Sequence, residues 1–296
     1  MARRRNCEFR VTRIQSSFVA PSGLTIAVHD WGGSGDPVLL SHPTGFHGVA
    51  WQPVAERLVA HGRRVWSFDF RGHGDSDRSP DGLYSWDGFA DDAEAVLGHL
   101  DLLGHPRLLA AGHSKGATSL MTVAWRRPGA IPRIWAFEPI VFPRYDAALQ
   151  DPDNPMSAAA RRRRAVWPSR ADAIASYGAR FPLQVLTDEA MHAYVDYGMR
   201  DRADGTVELK CPPEHEASIY TMGVVNGLWD RLPELTVPVL VVAGETSVAI
   251  PPQLAAQIVE RIPDGHLELW PGRGHFGPME DPDRAAESIL RFAGEG

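Results

Sequence analysis

One serine in this chain has the surroundings that a nucleophile requires. Ser114 is the centre of Gly112-His113-Ser114-Lys115-Gly116, which follows an apolar run over 107–111 and precedes a stretch with the pattern of a helix. Small residues at both ends of this pentapeptide relieve the collisions of a sharp strand-to-helix turn. The helix that follows directs unpaired backbone N–H groups, and the positive end of its dipole, toward any oxyanion formed there. We therefore predict that Ser114 presents its hydroxyl in a cleft.

A serine hydroxyl needs a base to take its proton, and histidine is suited to this at neutral pH. His275 is the preferred base among the 12 histidines. It lies in a glycine-rich loop after the last predicted strand, where sites of α/β sheets are built. The order along the chain, serine first and histidine last, agrees with this assignment.

The base in turn needs a carboxylate that holds its tautomer and stabilises the imidazolium formed during the reaction. We prefer Glu138, which ends the strand after the one that leads to Ser114, because these two strands are expected to be neighbours. Glu245, after the strand predicted over 237–243, is the alternative. A role for Glu138 as a helix cap or as the partner of an arginine also stays open.

Hydrogen-bond donors must also stand where negative charge develops on the substrate. The backbone N–H of Lys115 is one predicted donor, and Thr44, in the loop Ser41 to Gly48, is the other. Pro43 cannot donate. The Lys115 side chain could hold an anion or point along the cleft wall. We expect no metal at His42 and His47, since no carboxylate or cysteine accompanies them at ligand spacing.

Short runs rich in β-formers alternate with segments of helical period. The predicted strands are Leu24–Trp31, Val38–Ser41, Arg64–Asp69, Arg107–Ala111, Arg133–Glu138, Val237–Ala243 and His266–Trp270. The predicted helices are Trp51–His61, Trp86–Leu103, Ala117–Arg127, Pro251–Arg261 and Pro282–Phe292. The alternation predicts an α/β fold with a mostly parallel central sheet covered by helices on both faces.

The alternation stops over 140–233, where we predict a mainly helical cap inserted into a core of residues 1–139 and 234–296. Its predicted helical pieces are Pro155–Val166, Arg170–Phe181, Asp188–Tyr197 and Pro213–Met222. We assign no chemistry to the run Arg161 to Arg164, because a solvated helix face is the simpler interpretation in an acidic protein. An apolar substrate pocket is predicted, with candidate lining by Phe46, Trp51, His113, Phe142, Trp167, Tyr220, Trp229 and Phe276.

Composition excludes several classes of function. The 296 residues carry a formal net charge of -7, which argues against nucleic acid as the main partner. Two cysteines, Cys7 and Cys211, cannot form a disulfide framework. No apolar run follows the basic N-terminus, and no window reaches the length of a membrane helix. We expect a cytoplasmic protein with a small-molecule substrate and no cofactor, and the oligomeric state stays open, a homodimer included.

These motifs together resemble the α/β-hydrolase fold superfamily, over almost the whole chain. The resemblance rests on the segment Phe68 to Asp77, on the elbow around Ser114, and on the histidine loop with the final helix after Pro282. Members most often have aspartate three residues beyond the glycine that is Gly244 here, and this chain has Ser247 there. Some dehalogenases and lactonases place the acid after the sixth strand instead, at a spacing similar to that from Ser114 to Glu138.

The resemblance implies a hydrolase, and the elbow residue narrows the chemistry. Dehalogenases and epoxide hydrolases of this superfamily use aspartate there, whereas Ser114 favours transfer of an acyl group through a serine ester. We predict hydrolysis of a carboxylic ester or lactone by Ser114, His275 and Glu138. A carbon–carbon bond hydrolase or cofactor-free perhydrolase with the same serine and histidine is an alternative. The absent aspartate at 247 also leaves open a ligand receptor without hydrolytic activity.

Overall fold

A computed structural model describes residues 11–143, 154–224 and 226–294. Cys7 and the basic N-terminal residues lie outside this range. The strands are β1 Ile14–Val19, β2 Thr25–Gly32, β3 Pro37–Ser41, β4 Arg64–Phe68, β5 Leu109–His113, β6 Ile134–Phe137, β7 Val166–Trp167, β8 Met199–Asp201, β9 Val207–Leu209, β10 Val239–Gly244 and β11 Gly265–Trp270. The α-helices are α1 Gln52–Ala60, α2 Trp86–His99, α3 Lys115–Arg126, α4 Pro155–Arg161, α5 Arg170–Gly178, α6 Asp188–Gly198, α7 Pro213–Tyr220, α8 Pro252–Glu260, α9 Gly277–Glu280 and α10 Pro282–Phe292.

The central sheet has eight strands in the order β1-β2-β4-β3-β5-β6-β10-β11. Strands β1 and β2 run antiparallel to their neighbours, and the strands from β4 to β11 pair in parallel. The predicted mostly parallel sheet is therefore confirmed. Strand β5 is central, with β3 on one side and β6 on the other, so the carboxyl ends of all three strands open on the same edge.

Helices cover both faces of this sheet because its parallel strands are apolar on both faces. Leu39, Ala110 and Val241 belong to one buried cluster, together with residues of α2, α3 and α8. The next residues along the same strands, Leu40, Ala111 and Val242, belong to a second cluster with residues of α1 and α10. This alternation with period two explains why the strands read as unbroken apolar runs in the sequence.

Between β6 and β10 the chain leaves the sheet, over the region predicted as the cap. We call residues 140–233 the inserted segment. It carries α4, α5, α6 and α7, as the helical pattern predicted, and also a small antiparallel sheet in the order β7-β9-β8. The prediction missed this sheet because its strands are only two or three residues long, too short to show a period.

Other differences from the predicted elements are small and have local causes. Strand β1 was missed, since five of its six residues are exposed and it lacks an apolar run. Strand β5 extends to His113, two residues beyond the predicted end, because its partner β6 continues the pairing to Phe137. None of the described helices is long and apolar enough to cross a membrane.

Candidate active site

Ser114 lies at a strained turn between β5 and α3. Its φ of 55° and ψ of -121° are sparsely populated for a residue with a side chain. Strain of this kind is maintained at functional sites by the surrounding structure. Here the support includes Gly116, where a Cβ atom would collide with the carbonyl oxygen of Ser41. The tight contact between the elbow and the end of β3 thus requires glycine.

A second strained residue, Glu138, is the first after β6 and has a φ of 45°. Only Asp101 joins Ser114 and Glu138 as a non-glycine residue with positive φ in the described parts of the chain. The backbone N–H of Glu138 donates to the carbonyl of Val242 at 2.8 Å, which continues the pairing of β6 with β10. The turn that follows directs the Glu138 side chain toward the loop after β10.

The structure brings Glu138 and His275 into direct contact. The Nδ1 atom of His275 is 2.5 Å from Oε2 of Glu138. The same carboxylate accepts hydrogen bonds from the backbone N–H of Gly244 at 2.9 Å and from the hydroxyl of Ser247 at 2.8 Å. Glu138 is fully buried, while His275 keeps about a quarter of its side chain exposed. A buried carboxylate that accepts three hydrogen bonds is held in one orientation.

Glu245, the alternative acid, has different surroundings. Its residue is exposed, and its carboxylate accepts a hydrogen bond from the backbone N–H of Gly272 at 3.0 Å. Of the two candidate acids, Glu138 is therefore the one that the structure places on the histidine. The alternative roles of Glu138, as a helix cap or as the partner of an arginine, do not match these contacts.

His113 connects the elbow with His275. Its ring centroid is 4.9 Å from that of His275, in an edge-on arrangement, and 5.3 Å from that of Phe137. His275 thus lies beside the residue that immediately precedes Ser114. Within the described residues, no hydrogen bond joins the Ser114 hydroxyl to His275. In enzymes without substrate this bond is often long, and it tightens in the complex.

The predicted oxyanion donors belong to the two segments that meet at Gly116. Lys115 is the first residue of α3, so its backbone N–H has no acceptor within the helix. Thr44 is half-buried in the loop after β3, three residues beyond the Ser41 carbonyl that contacts the elbow. Ser114 is therefore close to both segments. Their roles as donors remain predictions.

The Lys115 side chain does not line the cleft, contrary to both expectations for it. It is buried, with Nζ 4.2 Å and 4.1 Å from the ring centroids of Phe70 and Phe89 and 3.4 Å from Nε2 of His73. Burial among these rings lowers the pKa of Lys115 well below its ordinary value. The long aliphatic stem reaches into the apolar layer under α2, which fixes this direction.

Buried polar groups hold the loop that carries Thr44. The Asp69 carboxylate accepts hydrogen bonds from the backbone N–H groups of Gly48 at 2.6 Å and Asp75 at 2.8 Å. His42 is bound at both ring nitrogens, to the carbonyl of Pro43 and the N–H of Phe70. His47 contacts the carbonyl of Tyr194 through Nε2 at 3.0 Å. These histidines thus serve as hydrogen-bond partners that shape the loop.

An aromatic wall extends from His275 toward the inserted segment. The Phe276 ring lies 5.4 Å from Phe46, and Phe46 lies 4.6 Å from Tyr194 on α6. Phe46 and Phe276 were predicted to line the pocket, and Tyr194 was not. Trp167 belongs to the same apolar cluster as Phe46 and Tyr194. The wall is therefore built by both the central sheet and the inserted segment.

The other predicted lining residues are placed differently. Trp51 and His113 are fully buried, so burial does not support their assignment to the pocket, which stays a prediction. Trp51 packs in the buried cluster under α1. Its large apolar ring helps to exclude water from the sheet. Phe142 and Trp229 pack against the opposite cluster, and Tyr220 is half-buried near Glu216.

Sequence reasoning missed the contribution of Ser247. Its position was noticed because a serine cannot supply the charge of an aspartate, but its hydroxyl donates to Glu138. The sequence did indicate this contact, because it has a serine at 247 and an acid at the end of a neighbouring strand, at 138. It also missed the largely buried ion pair between Arg163 and Glu216, because a run of four arginines gives no sign of which one is turned inward.

Comparison with known proteins agrees with this architecture. A family model described as the alpha/beta hydrolase fold matches residues 36–282. A monoacylglycerol lipase of Mycolicibacterium smegmatis is 27% identical and covers 89% of this chain and 90% of its own. The non-heme chloroperoxidase CPO-A1 of Kitasatospora aureofaciens is 27% identical and covers 91% and 96%. The crystal structure of E-2-(acetamidomethylene)succinate hydrolase superposes with a TM-score of 0.81 at 22% identity, covering 95% of this chain and 99% of its own.

Proposed function

Because the chain belongs to the alpha/beta hydrolase fold family, we propose that it is a serine hydrolase that cleaves a carboxylic ester or a lactone. The observation that carries the proposal is the contact of 2.5 Å between His275 and a fully buried Glu138, beside the strained elbow of Ser114. A carboxylate on Nδ1 leaves Nε2 of the same imidazole unprotonated and able to accept the serine proton.

The reaction proceeds in two halves. His275 accepts the proton of Ser114 while Oγ attacks the carbonyl carbon, and the carbonyl oxygen becomes an oxyanion. The tetrahedral intermediate collapses as the imidazolium gives its proton to the leaving alkoxide, which leaves an acyl group on Ser114. A water molecule then gives a proton to His275 and attacks the acyl carbon. The acid product departs, and the serine regains its proton.

Two backbone donors and one carboxylate stabilise charge during these steps. The backbone N–H of Lys115 and that of Thr44 donate to the oxyanion, and each such donor contributes about 100- to 1,000-fold in rate. Glu138 compensates the imidazolium and holds its orientation through the bonds from Gly244 and Ser247. No cofactor is needed for either half of the reaction.

Relatives named as a lipase and as a hydrolase support hydrolysis, and a relative named as a chloroperoxidase points to peroxide as another second reactant. The similarity to a non-heme chloroperoxidase favours perhydrolysis as a second candidate, in which hydrogen peroxide replaces water in the second half and a peracid is released. A carbon–carbon bond hydrolase would use the same serine and histidine on a different substrate. A receptor without hydrolytic activity would have no use for a buried acid on His275, so that alternative is disfavoured.

Labelling with a fluorophosphonate probe, followed by mass spectrometry of the modified peptide, tests the proposal. We expect rapid labelling of Ser114 in the wild type and none in Ser114→Ala. Ser119→Ala, which changes a buried serine on α3, should be labelled like the wild type. Turnover of ester panels with water or with peroxide then separates hydrolysis from perhydrolysis. Folded wild-type protein that is not labelled at Ser114 would refute the proposed function.

A further inference from the structure

Two charged side chains of the inserted segment form a buried pair. Arg163, after α4, donates through Nη1 to Oε2 of Glu216 on α7. Only 7% of the Glu216 side chain and 20% of the Arg163 side chain is exposed. Arg163 also donates to the hydroxyl of Tyr194 at 2.6 Å. Burial disfavours the charge on Arg163, but Glu216 outweighs this and raises the pKa of Arg163 well above its ordinary value.

This pair lies directly on the loop that carries the predicted oxyanion donor. A Cβ atom added at Gly45, next to Thr44, would be 2.6 Å from Oε1 of Glu216 and 3.5 Å from Nη1 of Arg163. Tyr194, the third member of the cluster, forms the aromatic wall with Phe46 that leads to Phe276. The pair is therefore adjacent to the place where the reacting carbonyl is expected.

The hydrogen-bonding capacity of the pair is only partly used. Among the described residues, Oε2 of Glu216 is bound to Arg163, and Oε1, which faces Gly45, has no hydrogen-bond donor. Gly45 and Arg163, which are neighbours of Glu216, line a small cavity of about 10 Å³ together with Tyr194, enough for one oxygen-sized group. An unused oxygen on a carboxylate that is only 7% exposed accepts a hydrogen bond strongly, because little water competes for it.

The charges at this place select against an anion. The charge of Arg163 is already compensated by Glu216, and a ligand carboxylate beside Oε1 would meet a like charge at short range. Lys210, which adjoins the same cavity, is paired with Asp75 at 2.7 Å. An apolar group would leave Oε1 without a donor. A neutral hydroxyl donates to Oε1 without bringing a second charge to the site.

We propose that Arg163 and Glu216 form a subsite that binds a hydroxyl group of the substrate close to the reacting carbonyl. This inference rests on the proposed function, since it concerns the substrate of the same site. It makes a hydroxylated ester or lactone the preferred substrate, ahead of esters that carry an alkyl group or a carboxylate at the same position.

Two matched sets of esters test the subsite. One set keeps the butanoyl group and varies the alcohol among propyl, 2-hydroxyethyl and carboxymethyl. The other keeps an ethyl ester and varies the acyl group among butanoyl, 3-hydroxybutanoyl and succinyl. Because the esters differ in intrinsic reactivity, the readout is kcat/KM of each variant relative to the wild type on the same ester.

Glu216→Gln should act on the set whose varied group, alcohol or acyl, reaches the subsite. In that set it should lower kcat/KM about tenfold for the hydroxylated ester, since a charged acceptor becomes neutral. The same variant should raise kcat/KM about tenfold for the carboxylate ester, because it removes a like charge and leaves Arg163 uncompensated. The alkyl ester should stay within about threefold of the wild type. A merely structural role for the pair would move all three esters in the same direction.

The double variant Arg163→Gln/Glu216→Gln removes both charges without leaving either one buried and unpaired. Relative to the wild type, it should lower kcat/KM more for the hydroxylated ester than for the alkyl ester of the same set. The matched controls are Arg162→Gln and Glu214→Gln, which change an exposed arginine and an exposed glutamate of the same elements. The inference is overturned if, in both sets, the variants change all three esters by one factor, or if Glu216→Gln leaves kcat/KM of the carboxylate ester no higher than in the wild type. If the wild type cleaves no ester and Ser114 is not labelled, the proposed function fails instead.

Discussion

Replacing Glu138 with glutamine tests the proposed mechanism most directly, because it keeps the shape of the side chain and removes its charge. The native carboxylate accepts from Gly244 through Oε1, and from Ser247 and His275 through Oε2. A glutamine has a single acceptor oxygen. If that oxygen takes the bond from the Gly244 N–H, the amide NH₂ faces His275 and donates to Nδ1.

The consequence is the wrong tautomer of the base. An imidazole that accepts at Nδ1 carries its proton on Nε2, and it cannot take the proton of Ser114. The loss of the negative charge also removes the compensation of the imidazolium. For a buried acid in this role the expected loss is about 10⁴-fold in kcat, equivalent to about 5 kcal/mol of transition-state stabilisation.

The assay is steady-state hydrolysis of a p-nitrophenyl ester, together with the rate of fluorophosphonate labelling at Ser114. Ser247→Asp, introduced into Glu138→Gln, places a carboxylate next to the lost one, since Ser247 Oγ lies 2.8 Å from Oε2 of Glu138. We expect this double variant to regain part of the lost rate. Glu245→Gln is the matched control and should stay within about twofold of the wild type, because that side chain is exposed.

Two results would show that the reasoning is wrong. Glu138→Gln that folds like the wild type and keeps more than a tenth of its kcat would mean that the carboxylate does not act on the base. A loss in Glu245→Gln as large as that in Glu138→Gln would mean that another acid serves His275. Thermal unfolding of each variant separates these outcomes from loss of the fold.

Two further predictions concern groups around the site. Lys115→Met should keep esterase activity, because only the backbone N–H of residue 115 is proposed to act. It should also raise the free energy of unfolding by about 1–4 kcal/mol, because it removes a buried amine. Chemical denaturation and activity measurements check both results. Burial lowers the pKa of His47 from 6.5 to about 4. Between these pH values the unfolded chain therefore binds a proton at this residue and the folded state does not. The free energy of unfolding should therefore fall as the pH drops from 6.5 toward 4, and His47 should account for about 3 kcal/mol of this loss. An equally steep loss in His47→Gln would contradict the assignment.

The fold and the elbow were predictable because their signals are local. An apolar run, two glycines around a serine and a segment of helical period fall within about 20 consecutive residues, and the glycines are required by the sterics of the sharp turn. The inserted segment was less predictable. Its strands are too short to show a period, and the inward turn of Arg163 depends on Glu216, which lies 53 positions away in the chain.

The acid of the proposed triad depends on a register between strands, which no local pattern contains. Strands β6 and β10 are neighbours, and the pairing of Phe137 with Val242 brings both carboxyl ends to Nδ1 of His275. A carboxylate from either strand end can therefore reach the same nitrogen. In this chain Glu138 occupies that place, and Ser247, at the position where the family more often has the acid, donates a hydrogen bond to it. An acid that is absent after one strand should therefore be sought after the strand hydrogen-bonded to it, where a strained backbone such as that of Glu138 marks the candidate.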